Sequence, residues 1–163
     1  MAIDENTQGQ LIALLPRLRR FAFGLTGSRE DADDLVQCAC ERALKKLHLW
    51  QKDTSFDSWM FRITKNIWID TWRSRKKQGV VVELNEADGV LGRSSADALE
   101  SRHLLKKVSQ AMQQLPEEQR LVLILVSVEE MSYKEAAAIL DIPLGTVMSR
   151  LARARRKLSE LIA

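Results

Sequence analysis

The sequence predicts an all-α fold of two small helical domains joined by a flexible linker, the second domain containing a helix-turn-helix. Three observations lead there. Apolar residues recur at three- and four-residue intervals through most of the chain, and strand-type alternation is nearly absent. Residues 79–98 lose that periodicity, apart from a brief Val80-Val81-Val82, and collect Gly79, Gly89, Gly92, Ser94 and Ser95 with Glu83, Glu86 and Asp88. A length of 163 residues suits one average domain or two small ones. The expected boundaries are 1–78 and 99–163, with 79–98 between them.

The first helix is expected over about Gln8 to Leu25, stopping at Thr26-Gly27. Ser28 followed by Asp31 resembles a capping box and starts a second helix, with Ala32, Leu35, Val36, Ala39, Ala43, Leu44 and Leu47 on its apolar face. Asp33, Asp34, Gln37, Glu41 and Lys45 lie opposite. The polar break Gln51 to Ser55 precedes a third helix with two stripes. One is Phe56, Trp59 or Met60, Ile63 and Ile67, and the other is Phe61, Lys65, Trp68 and Trp72. The second stripe fits either core packing or a stacking surface for single-stranded nucleic acid, because aromatics interleaved with cations serve both.

Beyond the linker, a helix carries Leu104, Leu105, Val108, Met112 and Leu115. Pro116 starts the next helix, with Glu117 and Glu118 in the first turn, where the helix dipole favours anions. That helix is apolar almost all round from Leu121 to Val126, which makes it the domain's central element. Ser132 and Glu135 form a second capping box for a short helix. Asp141 interrupts it where a tight turn requires the left-handed conformation that Asp tolerates. Ile142 plugs the turn and Pro143 begins the last helix. Apolar positions 137, 140, 142, 147 and 151 match a helix-turn-helix, whose second helix enters the DNA major groove. The exposed face of that helix reads Met148, Ser149, Arg150, Ala152, Arg153 and Arg156, and the first turn, with Thr146, offers backbone donors to a phosphate.

Charge is distributed in blocks. The net charge is only +3 and the pI about 9.0. Within 59–78, Arg62, Lys65, Arg73, Arg75, Lys76 and Lys77 stand against Asp70. Within 143–163, Arg150, Arg153, Arg155, Arg156 and Lys157 stand against Glu160. Within 28–41, Arg29 stands against Glu30, Asp31, Asp33, Asp34 and Glu41. Such blocks suit contacts to a polyanion at two places and to a basic partner at a third, or simply the solvated faces of helices.

The residue inventory argues against several classes. Cys38 and Cys40 lack a second ligand pair, and in a helix they point about 200° apart, so they read as packing residues of a reducing cytosol and not as a metal site. His48 and His103 fall in separate domains with no nucleophile or ligand spacing around them, so no catalytic residue, metal or cofactor is expected. No apolar run approaches the roughly 20 residues of a membrane span. The expectation is a cytoplasmic chain that is not an enzyme and takes no small-molecule substrate.

Four motifs taken together resemble the extracytoplasmic-function (ECF) sigma factors of the sigma-70 family. Asp31-Ala32-Asp33-Asp34-Leu35-Val36-Gln37 is similar to the family's polymerase-binding helix. Phe56-Asp57-Ser58-Trp59-Met60-Phe61-Arg62-Ile63, with Asn66 and Asp70, is similar to its −10 reading helix. Leu115-Pro116-Glu117-Glu118-Gln119-Arg120 resembles the start of its −35 domain. Ile142-Pro143-Leu144-Gly145-Thr146-Val147, then Ser149-Arg150-Leu151 and Arg153-Ala154-Arg155, resembles its −35 reader.

That resemblance implies a non-enzymatic specificity subunit that binds core RNA polymerase and promoter DNA and is regulated by an anti-sigma factor. It implies that Asp33, Asp34, Gln37 and Glu41 dock on the polymerase clamp. It places Trp50 and Asn66 where the family holds a flipped −10 base, with the loop Gln51 to Ser55, including Lys52, shaping the pocket. Arg73, Arg75, Lys76 and Lys77 would hold phosphates, and Thr146, Ser149, Arg150 and Arg153 would grip or read the −35 element. Two positions depart from the pattern: Cys38 stands where an acidic residue is common, and Met148 where Lys or Arg is common. A sigma-like decoy would lack these readers, and a simple helix-turn-helix repressor would not need the acidic helix.

Overall fold

A computed structural model describes residues 3–52, 54–72 and 96–163, apart from the side chains of Trp72 and Ala96. The linker expected over 79–98 falls outside these residues up to position 95, as do Arg73, Arg75, Lys76 and Lys77. Among the described residues every regular element is helical. They are α1 (Glu5–Thr26), α2 (Arg29–Lys45), a short 3₁₀ turn (Leu47–Leu49), α3 (Phe56–Ile67), α4 (Ala96–Gln114), α5 (Glu117–Leu123), α6 (Tyr133–Leu140) and α7 (Leu144–Ile162). α3 and α5 each continue in a wider π turn, over Trp68–Trp72 and Ile124–Val128.

Helix ends follow local chemistry. α1 begins a turn before its apolar pattern does, because the Asp4 carboxylate accepts the Thr7 N–H at 2.6 Å. It ends at Gly27, whose φ of +72° is the left-handed cap, and its N–H reaches the Phe23 carbonyl. Ser28 and Ser132 cap α2 and α6 as expected, accepting from the Asp31 and Glu135 N–H groups. Ser55, not foreseen, caps α3 through the Ser58 N–H. Asp141 adopts φ 55° and ψ 49°, the left-handed turn its position requires.

Buried apolar side chains from both halves form one continuous core. α1, α2 and α3 pack mutually through Leu18, Phe21, Leu25, Leu35, Met60 and Phe61. α5 and its π turn are the buried axis of the other half, with α5 covered by α7 and the two together supplying Leu121 through Leu125. The two halves meet where α4 and the π turn after α5 pack on α1, and where α6 packs on α3. Gly24 permits that approach, since a Cβ there would lie 2.8 Å from the Ile124 side chain.

Polar groups complete the junction. Gln113 Nε2 donates to the Gly24 carbonyl at 2.9 Å, and buried Arg120 donates to the Leu25 carbonyl at 3.0 Å. Both satisfy carbonyls left open at the end of α1. Arg120 also bonds the Gln113 and Leu115 carbonyls and lies 5.9 Å from the Trp68 ring centre. The Glu129 carboxylate, 0% exposed, receives Arg20 through two bonds of 2.9 Å and Arg17 through one of 3.3 Å. Arg17 reaches on to Asp57 at 3.2 Å. Arg62 of α3 donates to the Ala138 carbonyl of α6.

Several expected faces are corrected by this packing. Leu44 is exposed although it lies on the apolar side of α2, and Leu104 and Leu105 are exposed on α4 because only the later turns of that helix reach the core. The buried face of α6 is Ala136 and Ile139, rotated from the expected 137 and 140, which are half-buried.

Candidate promoter-DNA and polymerase interface

Phe61, Lys65 and Trp68 of the second stripe are core, and the Trp72 side chain lies outside the described residues. Phe61 is fully buried, edge-on to Phe21 at 5.0 Å and beneath the Arg17 guanidinium at 5.2 Å. Lys65 and Trp68 are buried with it, and burial pushes the Lys65 ammonium below its ordinary value. A stacking platform for single strands therefore does not form from Phe61, Lys65 and Trp68 in this arrangement.

The aromatic surface that does form lies at the start of α3. Trp50 stacks on Trp59 at 6.4 Å with a 29° tilt and meets the edge of Phe56 at 5.0 Å. Its indole N–H donates to the Thr54 carbonyl at 3.3 Å, which folds the loop back against the ring. Beside Trp50 lies an open cavity of about 440 Å³, lined also by Lys52, Thr54, Ser55 and Phe56 and, from α1, by Asn6, Thr7 and Gln10. Lys52 is held across it at 3.8 Å from Asp4. Asn66 does not line this cavity. It is exposed ten residues beyond Phe56, about 15 Å along the helix, on the side that carries Trp59 and Arg62.

On α7, Val147, Leu151 and Ala154 are buried. Ser149 and Arg153 project from the opposite side, at the spacing of four that aligns side chains on a helix. Ser149 donates back to the Thr146 carbonyl at 3.2 Å, and Thr146 is half-buried. Arg150 is 26% exposed and sits 3.8 Å from the exposed carboxylate of Glu118 on α5. Met148 is exposed. On α2, Asp33, Asp34, Gln37, Cys38 and Glu41 are all exposed, a continuous polar face away from α1 and α3. Sequence reasoning missed Asp4, Asn6 and Gln10, which line the cavity with Trp50 although they lie forty or more positions from it in the chain.

Residues 11–78 match Sigma-70 region 2, and residues 105–158 match Sigma-70, region 4. The ECF RNA polymerase sigma factor EcfG of Rhodopseudomonas palustris is 35% identical over 164 aligned positions, covering 99% of this chain and 88% of that protein. The chain belongs to the ECF group of the sigma-70 family. Solved members of the family share its fold. The sigma factor RpoE from Bartonella quintana, in complex with the anti-sigma factor NepR, superposes with a TM-score of 0.83 at 30% identity, over 98% of each chain. CnrH, in complex with the cytosolic domain of CnrY, gives 0.73 at 29% identity, over 98% of this chain and 89% of that one. The family consists of transcription regulators rather than enzymes. Among the described residues, no helix is long and apolar enough to cross a membrane.

Proposed function

We propose that this sigma factor carries bacterial core RNA polymerase to promoters whose −10 and −35 elements it reads with separate halves of the chain. Residues 1–78 serve polymerase and −10 binding, 79–98 join the halves, and 99–163 serve −35 binding. The observation that supports this most is the simultaneous exposure of three surfaces on one chain: the acidic face of α2, the Trp50 pocket, and the Ser149 and Arg153 row of α7. Asp33, Asp34, Gln37 and Glu41 suit a basic partner surface. Trp50 offers a ring face to an unstacked base, and Asn66 lies further along the same helix for the neighbouring strand.

The factor works in the cytoplasm and contributes no catalytic group of its own. An anti-sigma factor keeps it inactive, a reading supported by the two-domain arrangement it shares with a sigma factor solved in an anti-sigma complex. A decoy role is disfavoured by the exposure of Ser149 and Arg153 on α7 and of Trp50 at its cavity. Run-off transcription with purified core polymerase tests the proposal directly. Initiation at specific genomic promoters is expected; failure both to bind core and to initiate from any promoter would sink it.

A further inference from the structure

We infer that the first turns of α1, through the Asn6 and Gln10 side-chain amides, form the base-selecting wall of the Trp50 pocket. The inference rests on the reading of that pocket as the −10 base site. Its cavity, about 440 Å³, lies within the range of small-molecule sites and admits one base with its sugar.

The argument proceeds by hydrogen-bonding capacity. A flipped base is recognised by stacking on an aromatic face together with hydrogen bonds to its Watson–Crick edge. Trp50 supplies the face, but its only donor is spent on the Thr54 carbonyl. The Thr54 hydroxyl donates to the Gln51 carbonyl at 2.6 Å, and Ser55 Oγ accepts the Ser58 N–H that caps α3. Thr7 is 4% exposed, and its N–H is bonded to Asp4. Lys52 is a donor without an acceptor, and it pairs with Asp4, so it suits a phosphate better than a base edge.

Asn6 and Gln10 are the two side-chain amides of the lining, and unlike the Thr54 and Ser55 hydroxyls they are not engaged by backbone groups. Both are exposed on α1, one turn apart and on the same side, and both line the cavity. Neither amide enters a hydrogen bond among the described residues. Each presents a donor and an acceptor, the combination that discriminates bases. The exposed Asp4–Lys52 pair, at 3.8 Å, spans from this wall to the loop that carries Trp50. Specificity at one −10 position thus depends on α1, which is remote in sequence from the helix that reads the rest of the element.

The test uses full-length chain with core polymerase on a promoter library randomised across the −10 region, with open complexes sequenced after heparin challenge. Wild type is expected to select one base strongly at one position. Asn6→Ala and Gln10→Ala should each flatten that preference by about fivefold or more, leaving −35 selection and core affinity unchanged. Gln10→Glu, which replaces the amide donor by an acceptor, should change which base is preferred, an effect that a purely structural role would not produce. Both side chains are exposed helix positions, and equal thermal midpoints would exclude misfolding. Unchanged selection in the Asn6 and Gln10 variants, with selection flattened by Trp50→Ala, overturns the inference while the pocket reading stands. Unchanged selection in all of them overturns both.

Discussion

At the scale of single residues, packing separates side chains that the chain lists as equals. Arg150 and Arg153 are both cations of the same helix. Arg150 is 26% exposed and lies 3.8 Å from Glu118, whereas Arg153 projects into solvent. On the proposed reading of α7, Arg153→Ala is expected to weaken −35 binding by about 1–3 kcal/mol at one base position. Affinity measured across −35 variants checks this, and a loss equal for every sequence would make Arg153 a phosphate contact. The two cysteines divide in the same way. Cys38 is exposed, while burial pushes the half-buried Cys40 thiol up. Iodoacetamide at pH 8 should label Cys38 well before Cys40 in the folded chain. Equal rates by mass spectrometry would contradict the burial of Cys40.

At the scale of elements, caps and turns decide where helices stop, and amphipathic faces decide what they meet. The α6–α7 turn depends on Asp141 in the left-handed region. Asp141→Val, β-branched and ill-suited to positive φ, should cost about 1–2 kcal/mol in urea denaturation, and Asp141→Gly should be tolerated. A tolerated valine would mean that the turn can relax into another geometry. α3 shows the limit of periodicity as a guide. Both of its stripes were visible, yet that the second packs as well as the first depends on α1, α2 and α6 arriving from elsewhere. They cover Phe61, Lys65 and Trp68 and leave Trp50, with the edge of Phe56, to face the cavity.

At the scale of the whole molecule, the closed junction conflicts with simultaneous reading of both elements. Their names place them about 25 base pairs apart, roughly 85 Å at 3.4 Å per base pair. A compact chain of 163 residues has a radius of gyration of only about 15 Å. The halves must separate on the promoter, which breaks the contacts of Glu129 with Arg17 and Arg20. That carboxylate is fully buried, but the arginines are 35% and 54% exposed and regain water on opening. Glu129→Gln should therefore shift the closed–open balance by a modest amount, about 1–2 kcal/mol towards the open form. Small-angle scattering of the free chain should then show a larger radius of gyration. A profile identical to wild type would show that the apolar contacts around Ile124 and Gly24 hold the junction without the carboxylate.

The fold class, the two-part organisation and the order of the motifs were legible in the chain itself. Helix faces, caps and the Asp141 turn are local matters, written in residues three or four positions apart. The acidic face of α2 and the row of Ser149 and Arg153 on α7 were readable for the same reason. Tertiary structure decided the rest. It packed the two helical domains against each other so that their cores are continuous, buried Phe61, Lys65 and Trp68 of the second stripe, and left Leu104 and Leu105 without cover. It also brought Asn6 and Gln10 beside Trp50. These outcomes depend on which of several plausible apolar or polar faces finds a complementary partner, and that choice is made by contacts between residues distant in sequence, which no local pattern encodes.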